Sequence, residues 1–404
     1  MKLFKLALKN IRFRWMTQVL TLLLFTLSIS LLWVMHEAKV QSENKLVKNL
    51  ANIDLVIGAK GSPLQIILSS IYHIDAPTGN ISYREAQRWA KHPMVRQSLP
   101  LAYGDFYLTY KIVGTDTSIL SWYDGMLSEG SLWTKESEVV LGASCAASSG
   151  LKVGDTFSGQ HGDAEAESGH GNYRVVGILE PNGTVLDQLV LCGLETVWHV
   201  HEETMDHGPL TMENDGQELE AHPEKEITAL LIRYKNPMAA IQLPRMINEN
   251  SSLQAASPSI EINRLSYMMN TGSDTLKGVG IALLLLAAFS MLVQVWMGLA
   301  QRKTEFALLR SLGYSSKKLL RLITLELGIL VFTAFVFGEA LARWFLMQFS
   351  DELGYGQAYA FDSSKWSNFD LQLLGLPCIV VFVAAMLNAR KIYQINIADL
   401  LQNP

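Results

Sequence analysis

Glu339 and Arg343 stand one helical turn apart inside an apolar run covering residues 319–347. An unpaired charge in a bilayer core costs several kcal/mol, so ionisable groups there pair with one another or mark a functional path. The i,i+4 spacing predicts a carboxylate–guanidinium pair within the span, although Arg343 also lies near enough to one end to snorkel toward headgroups. A second group of reactive side chains is the histidines His161, His170, His199, His201, His207 and His222, set among Asp163, Glu165, Glu167, Glu202, Glu203 and Asp206. Imidazoles with carboxylates can hold Zn2+, and His199, His201 and His207 are the candidate ligands. The dense spacing of a structural zinc site is missing, which makes solvated histidines the plainer reading. Cys145 and Cys192 fall in one polar segment, where an oxidising compartment permits a disulfide; two free buried thiols fit the spacing as well. No Gly-rich loop ends in Gly-Lys-Ser/Thr, and Gly58-Ala59-Lys60-Gly61-Ser62 lacks the required spacing. Nucleotide hydrolysis by this chain is therefore not expected.

These residues must be positioned by a chain of 404 residues that is 49% hydrophobic and only 18% charged. The apolar residues concentrate in runs at 16–35, 278–300, 319–347 and 371–387. Each approaches or exceeds the roughly 20 residues that cross a bilayer as a helix. Lys2, Lys5, Lys9, Arg12 and Arg14 precede the first run. Arg302, Lys303, Arg310, Lys317, Lys318 and Arg321 lie between or beside the second and third, and Arg390 and Lys391 follow the fourth. Asp351, Glu352, Asp362 and Asp370 flank the third and fourth on the other side, against Lys365. The positive-inside bias predicts both termini and the loop 301–318 in the cytoplasm, with 36–277 and 348–370 outside. The first run is too long for a signal-peptide core and lacks a small-residue cleavage site, so it reads as an uncleaved anchor.

The expected fold is thus four transmembrane helices plus a large α/β external domain. Residues 1–15 form a cytoplasmic amphipathic helix with Leu3, Leu6, Ala7, Ile11 and Trp15 on one side. In the external domain, strands are expected at 53–57, 105–113, 227–234 and 259–262, and helices at 82–91 and 237–248. The first of these helices opens with a capping box at Ser82 and Glu85. Residues 133–200 alternate short β-rich runs with turns and read as an inserted small β subdomain. Residues 200–226 read as a mobile acidic loop. The apolar segment 63–72 is either a packed helix or a lip for a partner or lipophilic cargo. The tail 388–404 returns to the cytoplasm.

Between the two central spans, Phe306, Leu309 and Leu312 can share one side of a short helix. Gly313 can end it, and Ser315 or Ser316 can cap the next. Such a helix either enters a groove on a partner or rests on lipid.

The stretch 301–330, QRKTEFALLRSLGYSSKKLLRLITLELGIL, resembles the signature of FtsX/MacB-type ABC-transporter permeases. The N-terminal segment KLALKNIRFRWMTQVLTLLLFTLSISLL, the external pieces at 138–142, 150–156 and 173–179, and the tail from Ala389-Arg390 to Ala398-Asp399-Leu400-Leu401 are similar to the same family. The resemblance implies a non-enzymatic permease subunit of a bacterial inner-membrane ABC transporter. It would dimerise with itself or a paired permease and recruit a separate ABC ATPase that binds ATP and Mg2+. It implies docking through Glu305, Phe306, Leu309, Arg310, Leu312 and Gly313, a brace at Glu326, and transmission of motion to the external domain for export or extraction. A periplasmic adaptor or binding protein is a further implied partner, and nucleic acid is not one. Rival readings are a regulatory scaffold of the branch that controls cell-wall hydrolases, a signalling accessory, and a zinc-handling system. Residues 58–80 and 200–226 match no feature of the better-known members, so the substrate stays open.

Overall fold

The computed structural model describes residues 2–13, 15–50, 52–160, 170–205, 225–352, 362, 364 and 366–393. The chain forms two compact units. One comprises Met1–Gln41, Met269–Gly354 and Phe361–Pro404; the other comprises Ser42–Met268 with Tyr355–Ala360.

In chain order the elements are α1 (Lys2–Phe13), α2 (Trp15–Asn49), β1 (Leu55–Ala59), α3 (Pro63–Ser70), β2 (Ile81–Ser82), α4 (Tyr83–Ala90), β3 (Val95–Tyr107), β4 (Tyr110–Thr115), α5 (Ile119–Trp122), β5 (Leu127–Gly130), β6 (Glu138–Leu141) and α6 (Ala143–Ser149). Then come β7 (Thr156–Gly159), β8 (His170–Leu179), β9 (Leu189–Cys192), α7 (Leu194–Met205), β10 (Glu226–Ile227), β11 (Ala229–Tyr234), α8 (Ala239–Asn250), β12 (Leu253–Ala256), α9 (Pro258–Gln301), α10 (Lys303–Ser311), α11 (Ser316–Glu352) and α12 (Asn368–Tyr393).

Among the described residues, the unit Ser42–Met268 is built on a mixed sheet in the order β12-β1-β11-β3-β4-β9-β6-β8-β5, with β7 paired to β8. Its strands bury both faces, so alternate residues enter different cores. Leu55, Ile57, Leu230 and Ile232 pack on one side with α4, α6, α7 and α8. Val56, Ala229 and Leu231 pack on the other with α3, α5 and the upper residues of α2 and α9, including Leu46 and Ile262.

Several expectations shift. The strands of 133–200 form no sheet of their own: β9 lies parallel beside β4, and β6 pairs β9, so they extend the main sheet. The expected strand 105–113 is a hairpin, turning at Leu108 with φ +55 between β3 and β4. Residues 259–262 are helical, the strand lying just before them as β12. Helix α4 starts where the capping box places it, but Ser82 makes no side-chain cap bond, and Glu85 instead accepts from Ser252 Oγ at 3.0 Å. Segment 63–72 packs inward, with Ile66, Ile67, Ile71 and Tyr72 buried in their own domain. Most of the acidic loop, and the tail beyond 393, lie outside the described residues.

Among the described residues, four helices are long and apolar enough to cross a membrane: Gln18–Asn49, Pro258–Gly298, Ser316–Gln348 and Asn368–Leu387. Lipid supplies no hydrophobic force between helices, so close backbone approach at small residues matters. A Cβ on Gly338 of α11 would meet Ile29 Cγ2 of α2 at 2.9 Å, and one on Gly280 of α9 would meet Leu32 Cδ2 at 2.8 Å. Thr21 and Ser290 hydroxyls join α2 to α9 at 2.9 Å.

Candidate functional site

Helix α10 arises because Arg302 breaks helical geometry (φ −102, ψ 13) after α9 ends. It stops in a Schellman turn: Tyr314 N–H donates to Leu309 O and Gly313 N–H to Arg310 O, both at 3.0 Å, with Gly313 at φ +88. Left-handed backbone there favours glycine, since a Cβ would crowd the following carbonyl. Ser315 then opens α11, its carbonyl accepting from Leu319 N–H at 3.2 Å.

The residues expected to share one docking side do not do so. Phe306 is 1% exposed and lies in a buried cluster with Met291, Val295, Leu319, Ile323 and Leu327. Leu309 packs partly buried against that cluster, whereas Leu312 is 70% exposed. Six residues of α-helix rotate a side chain by about 120° net, so an i,i+3,i+6 stripe drifts off its face. Leu308, which that stripe passes over, is 56% exposed. Glu305, Leu308 and Leu312 make the outward face at i,i+3,i+7, and Phe306 is an internal anchor rather than a contact open to a partner. Arg310 is half-buried at the edge.

Beneath α10 lies a polar junction of three elements. Arg302 Nε donates to Glu305 Oε2 at 2.9 Å, and its Nη1 donates to Glu326 Oε2 at 3.2 Å. Asn10 Nδ2 of α1 donates to Glu326 Oε1 at 2.6 Å. The Arg302 guanidinium also sits 5.1 Å from the Phe306 ring centroid, a cation–π distance. Glu326 of α11 thus joins the α9–α10 junction and α1.

At the opposite end of the spans, Arg343 Nε meets Glu339 Oε2 at 3.3 Å, the pair expected from spacing. The cluster is larger than that pair. Arg343 Nη2 lies 3.7 Å from Asp370 Oδ2, and the guanidinium rests 4.9 Å from the Trp33 ring and 4.8 Å from that of Trp366. Asp370 Oδ1 accepts from Trp33 Nε1 at 2.5 Å, and its Oδ2 from Ser367 N–H at 2.6 Å. Arg343 therefore turns inward instead of snorkelling. It neutralises one charge of two facing carboxylates and ties α2, α11 and α12 together. Glu339 Oε1 is buried with no hydrogen-bond partner among the described residues.

The remaining candidates do not converge. Cys145 and Cys192 are both free and buried, and burial pushes the Cys145 thiol up to about 12 and the Cys192 thiol higher than its ordinary value. His199 is exposed on α7, the side chain of His201 is not described, and His207 lies outside the described residues. Among the described residues no group of three His, Cys, Asp or Glu side chains could hold a metal ion.

Sequence reasoning missed Asn10, Leu308, Trp33 and Asp370. Asp370 carried a readable signal, because Ser367-x-x-Asp370 is a helix-opening pattern. Its bond to Trp33 spans 337 positions and leaves no local trace.

Residues 278–397 match the family described as FtsX-like permease, C-terminal. No curated protein matches the chain. Among solved structures, the chain is similar to the periplasmic region of MacB from Actinobacillus actinomycetemcomitans (11% identity, TM-score 0.35, covering 55% of this chain and 97% of that one). It is also similar to the extracellular domain of the noncanonic ABC-type transporter YknZ from Gram-positive bacteria (9%, TM-score 0.31, 51% and 99%). A third is a domain of a permease protein from Porphyromonas gingivalis (13%, TM-score 0.27, 50% and 86%).

Proposed function

We propose, from the premise that this chain is an FtsX-like ABC-transporter permease, that it docks a separate ABC ATPase through the outward face of α10 and passes the ATPase's motion to its external domain. The observation that carries the reading is a nine-residue helix pinned from beneath by Phe306 while Leu308 and Leu312 stand 56% and 70% exposed. An amphipathic helix with an i,i+4 apolar pair suits a groove on a partner. Burying a leucine fully contributes about 1.5–3 kcal/mol, so the area still exposed on this pair offers about 2–4 kcal/mol in total. Glu305 beside them supplies a charged rim.

ATP and Mg2+ belong to the partner in this reading, since the chain lacks a phosphate loop. The cation distribution supports cytoplasmic termini in a bacterial inner membrane. Helix α2 has 35 residues and α9 has 44. At 1.5 Å per residue they run about 50 and 65 Å, well beyond a hydrocarbon core of about 30 Å. Both continue unbroken from span to external unit, which suits them as levers. A second permease copy, or a paired permease, and a periplasmic adaptor or binding protein complete the assembly, and the substrate is exported or extracted on the external side.

The test is co-expression of the full chain with its cognate ATPase. Leu308→Asp and Leu312→Asp should keep the permease folded and abolish copurification of the ATPase. Phe306→Ala should lower permease stability, as a cavity of that size costs about 3–5 kcal/mol. ATPase binding undiminished in the Leu308→Asp/Leu312→Asp double variant refutes the docking face.

A further inference from the structure

We infer that Glu326 is the positioning residue through which displacement of α10 reaches the amphipathic helix α1, and with it the span α2; this rests on the docking reading above and deepens it. Arg302 sits at the break between α9 and α10 and therefore moves with the docking helix. Its guanidinium is divided between Glu305 on α10, at 2.9 Å, and Glu326 on α11, at 3.2 Å. A planar cation shared by two carboxylates cannot follow one without loosening its bond to the other. The Arg302 and Glu326 side chains are only 11% and 12% exposed, so their attraction is little screened by salt.

The other oxygen of Glu326 holds Asn10 at 2.6 Å. Helix α1 packs on α11, with Ala7 fully buried. Apolar packing of this kind tolerates sliding, whereas a directional hydrogen bond fixes register. Asn10 is thus a polar pin of α1, and it is pinned to the same carboxylate that Arg302 uses.

The surroundings leave room for the pin to move. An open groove of about 350 Å3 is lined by Trp15, Met16 and Gln18 of α2 facing Arg302, Phe306 and Glu326. Trp15 and Met16 are exposed there, so the joint of α1 and α2 is not locked by packing on that side and can take up displacement.

The experiment uses the full chain in nanodiscs, with Cys378→Ser removing the exposed thiol and Phe4→Cys carrying a nitroxide on the exposed side of α1. Without ATPase, Asn10→Leu and Glu326→Leu should each mobilise the label, and Arg302→Gln should not. With the ATPase bound, Asn10→Leu, Glu326→Leu and Arg302→Gln should each keep the partner but lose the nucleotide-dependent change in line shape by about tenfold. The exchange pair Arg302→Glu with Glu326→Arg should regain part of that response, which a general folding defect would not allow. A wild-type nucleotide response in Asn10→Leu overturns the relay, and an unmobilised label in Glu326→Leu overturns it with no ATPase present. Failure of the unmodified chain to bind the ATPase refutes the docking reading instead, while the ATPase-free comparison still decides the role of Glu326.

Discussion

Replacing Arg343 by Met should destabilise the membrane unit far more than neutralising the carboxylate beside it. Arg343 is the cation that the described residues place against Glu339 at 3.3 Å and Asp370 at 3.7 Å. The side chains of Glu339 and Asp370 are 6% and 1% exposed. Removing it leaves two buried carboxylates facing each other, and breaking a buried pair from one side costs about 3–5 kcal/mol. Glu339→Gln has the opposite bookkeeping. It keeps the shape, lets Arg343 and Asp370 pair one to one, and should fall within about 1 kcal/mol of the parent. Asp370→Asn lies between them. It weakens the charge-assisted bonds from Trp33 Nε1 and Ser367 N–H, each worth about 1.5–3 kcal/mol, yet leaves the Arg343–Glu339 pair. The assay is an SDS titration of the purified full chain in mixed micelles, followed by circular dichroism. The expected order of loss is Arg343→Met, then Asp370→Asn, then Glu339→Gln. Adding Glu339→Gln to Arg343→Met should recover part of the loss, a coupling of about 1–3 kcal/mol. If Glu339→Gln alone costs as much as Arg343→Met, the two-carboxylates-to-one-cation reasoning is wrong.

Two further outcomes concern the unit Ser42–Met268. His73, at φ +55, approaches the Tyr103 hydroxyl with Nδ1 at 2.7 Å, and burial, then Lys111, lower its pKa from 6.5 to about 3. The unfolded chain then takes up the proton more readily, so this contribution is complete above pH 6.5 and is lost as pH falls toward 3. The thermal midpoint of the full chain should decline between pH 6.5 and pH 4.5, and His73→Gln should flatten that decline; an identical slope in the variant speaks against it. Cys145 and Cys192 should behave as unbridged thiols. Maleimide should leave Cys145 and Cys192 unmodified in the native chain and modify all three cysteines after denaturation without reductant, counted by mass spectrometry, whereas a single adduct after denaturation would mean a bridge.

Features governed by local chemistry were legible in the chain. Runs of about 20 apolar residues announce spans, Gly313 announces a helix stop, and the i,i+4 spacing of Glu339 and Arg343 announces their contact. What stayed hidden depends on partners far along the chain. A strand does not state its neighbour, so 133–200 read as a separate insertion until β9 paired with β4. The hairpin at Leu108 carries none of the Asn-Gly chemistry that marks such turns, and Asp105–Val113 consequently read as one strand. On α10 the composition announced an amphipathic helix, but which leucine faces outward depends on where Phe306 finds its pocket among α9 and α11.

Helix α11 carries a polar cluster at each end, Glu326 toward α10 and Glu339 with Arg343 toward α12. These lie 13 to 17 positions apart along the helix, about 20–25 Å at 1.5 Å per residue. Between them α11 meets α2 through apolar packing, the close approach at Gly338 and a long hydrogen bond from Thr26 Oγ1 to Ala334 O at 3.5 Å. In lipid, apolar helix contacts have no hydrophobic force holding them against sliding, whereas buried charge-assisted bonds are directional and costly to break. The division favours α11 as a frame that fixes register at its ends and permits adjustment along its middle. On that view the two clusters differ in use. The Glu339–Arg343 cluster joins α2, α11 and α12 through Asp370, with Arg343 compensating its charge, and resists separation of those spans. The Glu326 cluster depends on a guanidinium shared by two carboxylates, one of them on α10, and so is the contact most easily redistributed when α10 shifts.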